Sequence, residues 1–287
     1  MEALDGTGVD RSHPGDVALR PADEPEGAAT PVTGRSWLPP HGRRRWGWAY
    51  EAVAVLAFYY LYQGVRNAAG HRSDTDGRAI RHALRLVDWE RALHLYNEHA
   101  WQQAFLHATW IVRVLNIYYG TLHFFVTGAV LVWMYRHRYS AYRTARTLLA
   151  FITALGLFGY WFFPLAPPRL LPGAGFVDTL YTVGGLWSYE SPVAKGLANP
   201  YAAMPSLHFG WSMWCTMVMI RYSTSRLRWL FVLYPVGTLL AIVVTGNHYW
   251  LDAAGAAVVV AASIGAVYVV SRLRPAVARA RARASLR

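Results

Sequence analysis

Asn199-Pro200-Tyr201-Ala202-Ala203-Met204-Pro205-Ser206-Leu207-His208 closes a polar loop and opens an apolar run, and Gly246-Asn247-His248-Tyr249-Trp250-Leu251-Asp252 does the same further on. Both runs are long enough to enter a bilayer. Two histidines, a serine and an aspartate are thereby delivered to the mouths of two membrane helices. Ionisable groups are costly at membrane depth, so their default reading is functional. Outward from these stretches, the chain reads as the scaffold that brings them together.

The chain has 287 residues, of which 54% are apolar, 15% aromatic and only 15% charged. That balance is too apolar and too charge-poor for an ordinary soluble domain. The net charge of +12 comes from arginine, Lys195 being the only lysine. The arginines lie between apolar segments rather than along one basic face, which argues against a nucleic-acid surface and for topology signals. Cys215 is the single cysteine, so no intramolecular disulfide is available.

Residues 1–36 are rich in Gly, Pro, Ala and Asp without apolar periodicity and read as a disordered cytoplasmic tail. They lack the basic start and apolar core of a signal peptide. Six spans follow, over residues 46–65, 114–135, 144–164, 202–220, 229–245 and 249–270, against the roughly 17–25 residues that a crossing needs. Between the first two, residues 74–107 place Ile80, Leu84 and Val87, then Leu86, Trp89, Leu93 and Tyr96, at spacings of three and four among charged residues. That is the pattern of an amphipathic helix, or pair of helices, lying on the membrane surface. The expected fold class is all-α: a polytopic integral membrane protein, built as a six-transmembrane-helix bundle with an amphipathic interfacial helical segment. The membrane domain covers 37–272, and 273–287 form a basic cytoplasmic tail.

Basic clusters precede the first span and recur in 136–146, in 221–228 and after Arg272. With six spans all four fall on one side, which the positive-inside rule makes cytoplasmic. The six arginines of 66–110 count against this, although five acidic residues accompany them. Loop 165–201 and the turn at Gly246 then share the opposite face, so the two histidine-bearing stretches meet outside the cytoplasm. The arginine and alanine bias points to a bacterial plasma membrane.

His248 and Asp252 are four residues apart at a helix start and share one face. A carboxylate so placed accepts from one imidazole nitrogen, fixes the tautomer and leaves the other nitrogen as nucleophile or base. His208 enters from the neighbouring helix mouth. Pro205 suits the first turn of a helix, and the N–H groups near Ser206 and Leu207 favour a phosphate oxygen. A histidine facing a His–Asp pair is what phosphoryl transfer through a phosphohistidine needs, one imidazole attacking phosphorus and the other protonating the leaving oxygen. Structural readings stand beside these. His123 suits a helix-to-helix hydrogen bond as well as pocket lining, Asp252 a first-turn acid on the helix dipole, and Arg169 a snorkelling side chain. The three histidines also raise a metal or haem site, but that leaves Ser206 and Asp252 without a role, and neither metal nor cofactor is expected.

Pro205-Ser206-Leu207-His208 followed by His248-Tyr249-Trp250-Leu251-Asp252 resembles the type-2 phosphatidic acid phosphatase superfamily, whose pattern is a Pro-Ser-Gly-His box and then a box ending in His-x-x-x-Asp. Leucine in place of glycine makes the chain look most like the branch containing the fungal inositol phosphorylceramide synthases. Phe163-Pro164-Leu165-Ala166-Pro167-Pro168-Arg169 looks like that branch's proline-rich first box, and the resemblance spans residues 75–270. It implies His248 as nucleophile, Asp252 as its orienting partner and His208 as general acid. Arg169 and Ser206 would bind phosphate, with Asn247 and His123 as further substrate-binding candidates. Two departures matter. The wider family's first box carries a lysine as well as an arginine, and its third box has an arginine shortly before the histidine; here only Arg169 is present. A less cationic pocket suits a singly charged phosphodiester better than a phosphomonoester.

The expected function is phosphoryl transfer on a lipid phosphate ester at the extracytoplasmic face, leaning to headgroup transfer of the inositol-phosphate type. The alternatives are a phosphatase of lipid phosphates or polyprenyl (pyro)phosphates and, in another class, a non-enzymatic channel or scaffold. The expected partners are the lipid substrate and membrane lipids, with no nucleic acid; no oligomeric state is read from the sequence.

Overall fold

A computed structural model describes residues 47–70, 74–185 and 199–284, with backbone alone for 273–284. The tail expected at 1–36 lies outside the described residues. Among these residues the structure is helical and has no strand, with one isolated parallel bridge between Leu165 and Ala202. The main helices are α1 (Gly47–Gly70), α2 (Thr75–Ala92), α3 (Glu98–Leu106), α4 (Thr109–His137), α5 (Tyr139–Phe162), α6 (Leu207–Tyr222), α7 (Leu233–Val244) and α8 (Trp250–Ala284). A π-helical turn at Tyr118–Leu122 interrupts α4, and a 3-10 segment at Arg226–Val232 leads into α7.

Among the described residues, four segments are long and apolar enough to cross a membrane: α4, α5, Arg226–Val244 and Trp250–Arg272 of α8. They correspond to four of the six expected spans. The other two differ for identifiable reasons. α1 has the length, at 24 residues, but its tyrosines, Gln63 and Arg66 dilute its apolarity. α6 has only 16 residues, yet it is the most enclosed of the helices. Gly210, Trp211, Ser212, Trp214, Cys215 and Val218 are all buried, as in a helix surrounded by others. Its two indoles are satisfied on α5: Trp214 Nε1 donates to the Ala145 carbonyl at 2.9 Å and Trp211 Nε1 to Thr153 Oγ1 at 3.1 Å. Glu51 of α1 pairs with Arg146 of α5. In backbone, residues 273–284 of the expected basic tail are helical and continue α8.

The amphipathic region divides as α2 and α3, and it presents two faces. Ala79, Ala83, Leu86, Val87 and Glu90 are buried along one stripe, where the apolar members pack with Leu165, Leu171, Ala203 and Tyr249. Leu84, Trp89 and Leu93 point outward and are exposed. The inner stripe is thus covered by protein, and only the outer one is available to an interface.

Glycine sets how closely the loop before α6 meets α5. A Cβ on Gly159 would lie 2.4 Å from Pro205 Cδ, and one on Gly156 would lie 2.5 Å from Leu207 Cδ2. Pro205 does not occupy the first turn of α6 as expected. It precedes the N-cap, Ser206, and the first helical residue is Leu207.

Candidate active site

Four chain segments converge at one end of the bundle: the last turns of α1, the loop after α5, the start of α6 and the entry to α8. They enclose, with the π-helical part of α4, a cavity of about 470 Å³. Its wall includes His123, Arg169, His208, Asn247 and His248. Five of the seven candidate residues thus share one space.

The entry to α8 is built by its own acids. Asp252 stands at the third helical position and its Oδ2 accepts from the backbone N–H of Tyr249 at 3.0 Å, the return half of a capping box. The same oxygen lies 3.1 Å from His248 Nδ1. With Nδ1 protonated and donating to the carboxylate, the lone pair of Nε2 is directed away from Asp252. His248 is 2% exposed, and among the described residues its Nε2 makes no hydrogen bond. Asp252 therefore fixes both the helix start and the imidazole.

The two motif boxes are joined through the backbone: Ser206 N–H donates to the Asp252 carbonyl at 3.1 Å. That bond brings His208, two residues on, opposite His248, with ring centroids 5.7 Å apart. His208 is held on its other sides by aromatic contacts. Tyr119 stacks on it at 4.2 Å, and His123 meets it edge-on at 4.3 Å. Tyr119 belongs to the π-helical turn, and the His123 ring follows that turn directly. Such turns rotate side chains out of the regular α-helical progression. Among the described residues, no group of three or more His, Cys, Asp or Glu side chains is arranged to hold a metal ion.

Arg169 leaves the proline-rich loop and is fixed at three points. Its N–H donates to the Gly246 carbonyl at 2.9 Å, its Nε to Asn247 Oδ1 at 2.9 Å and its Nη1 to Asp178 Oδ2 at 2.7 Å. Gly246 has a φ of 67°, and a Cβ there would meet Gln102 Nε2 at 2.9 Å and Arg169 Cβ at 3.3 Å. The turn before Asn247 thus needs glycine both for its conformation and for the closeness of the arginine. Asn247 is anchored in turn by its own Nδ2, which donates to Thr245 Oγ1 at 2.7 Å.

Ser206 behaves as a helix cap. It is fully buried and its Oγ accepts from the Phe209 N–H at 3.5 Å, while its neighbours Leu207 and His208 form the cavity wall.

Several residues at the site carry no motif in the sequence. Asp178, Tyr119 and Arg66 all line the cavity. Arg66 comes from α1, and Asn199 ties that helix to the loop before α6 by donating to the Arg66 carbonyl at 2.8 Å. Glu90 and Glu98 lie behind the α8 entry. Only Glu90 leaves a sequence signal, an acid in register with the apolar stripe of Ala79, Ala83, Leu86 and Val87.

A helical membrane protein whose His–Asp pair faces a second histidine in one cavity has the features of an enzyme of phosphate esters. A family model described as the PAP2 superfamily matches residues 84–266, well over half of the chain, and the chain belongs to that superfamily. No curated protein and no solved structure matches it. Membership supports a reaction of the phosphatase or phosphotransferase type on phosphate esters.

Proposed function

We propose that the protein is a membrane phosphoryl-transfer enzyme that acts on a lipid phosphate ester through a phosphohistidine on His248. The observation that carries this reading is the His248 imidazole: Nδ1 on Asp252, Nε2 without a protein partner among the described residues, and the His208 ring facing it across the cavity. Nε2 attacks phosphorus, a P–N bond forms, and the ester P–O bond breaks. Protonated His208 gives its proton to the departing oxygen. In the second half the acceptor hydroxyl returns a proton to His208, its oxygen bonds to phosphorus, and the P–N bond breaks to restore His248. Arg169 and Asn247, which line the same cavity, hold the non-bridging oxygens.

The acceptor is a hydroxyl larger than water in the reading favoured here, headgroup transfer of the inositol-phosphate type. Tyr62, Gln63 and Tyr160 line the same cavity with hydroxyl- and amide-bearing side chains, which suits a polyol. We further infer six crossings, with α1 and α6 as the remaining two, termini in the cytoplasm and the cavity facing outside. The supporting feature is the set of four basic clusters, which an even number of crossings places on one side.

The test is purified protein in lipid micelles, given phosphatidylinositol and separately phosphatidic acid beside a His248→Ala control. Diacylglycerol released from phosphatidylinositol only when a hydroxyl acceptor is added establishes the transferase. Free phosphate from phosphatidic acid, absent in the control, establishes the phosphatase and removes headgroup transfer. Neither activity in a folded protein favours a non-enzymatic role.

A further inference from the structure

The first turn of α8 carries the His248–Asp252 pair, and its N–H groups must find acceptors in a water-poor interior. Three carboxylates take three successive N–H groups. Asp252 takes Tyr249, as described. Glu98 Oε1, from α3, accepts from Trp250 at 3.2 Å, and Glu90 Oε1, from α2, accepts from Leu251 at 2.8 Å. Both glutamates are fully buried, and among the described residues the Oε2 atom of each lies out of water with no hydrogen-bond partner. The two carboxyls stand on adjacent N–H groups, and a hydrogen bond between them requires that one of them carry a proton. Two carboxyl groups in contact inside a protein do not both ionise, and the stable arrangement is one proton held between them.

We propose that Glu90 and Glu98 work as one proton-sharing pair that positions the turn Tyr249–Leu251 and, through it, the His248 imidazole for attack. They are positioning residues and touch no substrate. The proposal rests on the phosphoryl-transfer reading only for its effect on turnover; the clamp itself is a feature of the fold. Singly protonated, the pair leaves one acceptor oxygen for each N–H and no repulsion between the acids. Losing the shared proton places two negative charges in contact, with a third on Asp252 close by, and the turn opens.

Among the described residues, the groups that face this pair are Tyr96 from the α2–α3 connection, Arg91 of α2 near Tyr96, and Tyr249 and Asp252 from the α8 entry. Burial first, then the hydrogen bond to Glu98 and its charge, push Glu90 up to about 9. The clamp therefore holds through neutral pH and fails on the alkaline side.

The test uses the full-length protein in micelles and has two readouts. Amide hydrogen exchange at Trp250 and Leu251 reports the clamp without reference to any reaction. Wild type protects both amides at pH 7, and their protection falls by tenfold or more as pH passes about 9, beyond the intrinsic rise in exchange rate. Glu90→Gln keeps an acceptor oxygen and offers an N–H to Glu98, so it retains protection and carries it above pH 9. Glu90→Ala loses protection at Leu251 at every pH. On turnover of whichever lipid the wild type accepts, Glu90→Ala lowers kcat at least tenfold with KM within about twofold, and Glu90→Gln restores it. Unprotected amides in the wild type, or protection in Glu90→Ala equal to wild type, would overturn the clamp. Lost protection with kcat unchanged per folded molecule would make the pair a stabiliser alone and overturn the positioning role. A wild type inert on every lipid but protected as described retires the phosphoryl-transfer reading, removes the positioning role and leaves the clamp standing.

Discussion

Asp178 Oδ2 lies 2.7 Å from Nη1 of Arg169, so the one cation supplied by the three motif stretches is already matched by an anion in the cavity wall. A carboxylate at that distance offsets much of the guanidinium's attraction for a second anion. Asp178 also accepts from the Tyr181 N–H through its other oxygen, at 3.3 Å, which an asparagine reproduces. Asp178→Asn therefore keeps the loop and removes the opposing charge. Its expected effect is a KM for an anionic lipid lowered by about three- to tenfold, diminishing with added salt. Steady-state kinetics at two ionic strengths checks it; a raised KM would show that Asp178 serves chiefly to hold Arg169 in place.

His208→Ala should lower kcat by about 10²–10⁴ with little change in KM, the range for loss of a positioned general acid. Asp252→Asn should be similarly damaging, because it disturbs the imidazole's tautomer and the cap on Tyr249 together. Single-turnover measurement separates the two steps: His248→Gln forms no phosphorylated enzyme, whereas His208→Ala forms it slowly.

Ser206 distinguishes a cap from a ligand. As the N-cap of α6, its replacement by alanine should cost about 0.5–2 kcal/mol of stability while KM stays near wild type. Thermal unfolding together with KM decides between the roles. A KM raised tenfold in a protein of normal stability would assign the hydroxyl to phosphate.

The helix glycines give an internal contrast. Gly159→Ala would press a methyl against the rigid Pro205 ring and the Met204 carbonyl, 2.4 and 3.1 Å away, and should destabilise by about 1–3 kcal/mol while displacing the loop that leads to His208. Gly128 lies on the exposed side of α4, and a methyl added there would meet nothing within 4 Å. Gly128→Ala should gain roughly 0.5–1 kcal/mol in helix preference. Unfolding of the two variants under identical conditions tests the difference; equal effects would refute the contact.

Stability should also report the shared proton. Glu90 is raised above its ordinary value of 4.5 to about 9, so the folded protein binds a proton that the unfolded chain gives up. This contribution is present in full below about 4.5 and is lost progressively as pH rises towards 9. Tm measured across that window should fall with pH in the wild type and fall less in Glu90→Gln. Parallel curves for the two proteins would contradict it.

Hydropathy and short spacing make much of the molecule legible. The apolar runs locate α4, α5, α7 and α8, and the periodicity of 74–107 locates α2 and α3. Those properties belong to single segments, so a sequence displays them directly. The helix at α6 is harder to read, because a helix enclosed by others can be short and rich in Ser, Thr and Trp. The two faces of α2 are not told apart by sequence either: Leu84 and Leu86 are equally apolar, yet one is exposed and the other buried.

For the site, the sequence by itself determined the pair whose geometry is local. His248 and Asp252 are four residues apart on a helix, and their hydrogen bond follows from helical pitch. It also placed His208, Arg169 and Asn247 at the mouths of helices, where they line one cavity. Only the tertiary structure decided what surrounds them. Glu90 meets Leu251 from another helix, Asp178 meets Arg169 across a loop, Arg66 reaches the cavity from α1, and Tyr119 reaches His208 through a turn of π-helix. These partners lie in other segments, and no spacing rule links them. They are set by how helices cross and which way each side chain leaves its backbone, which exist only once the chain has packed.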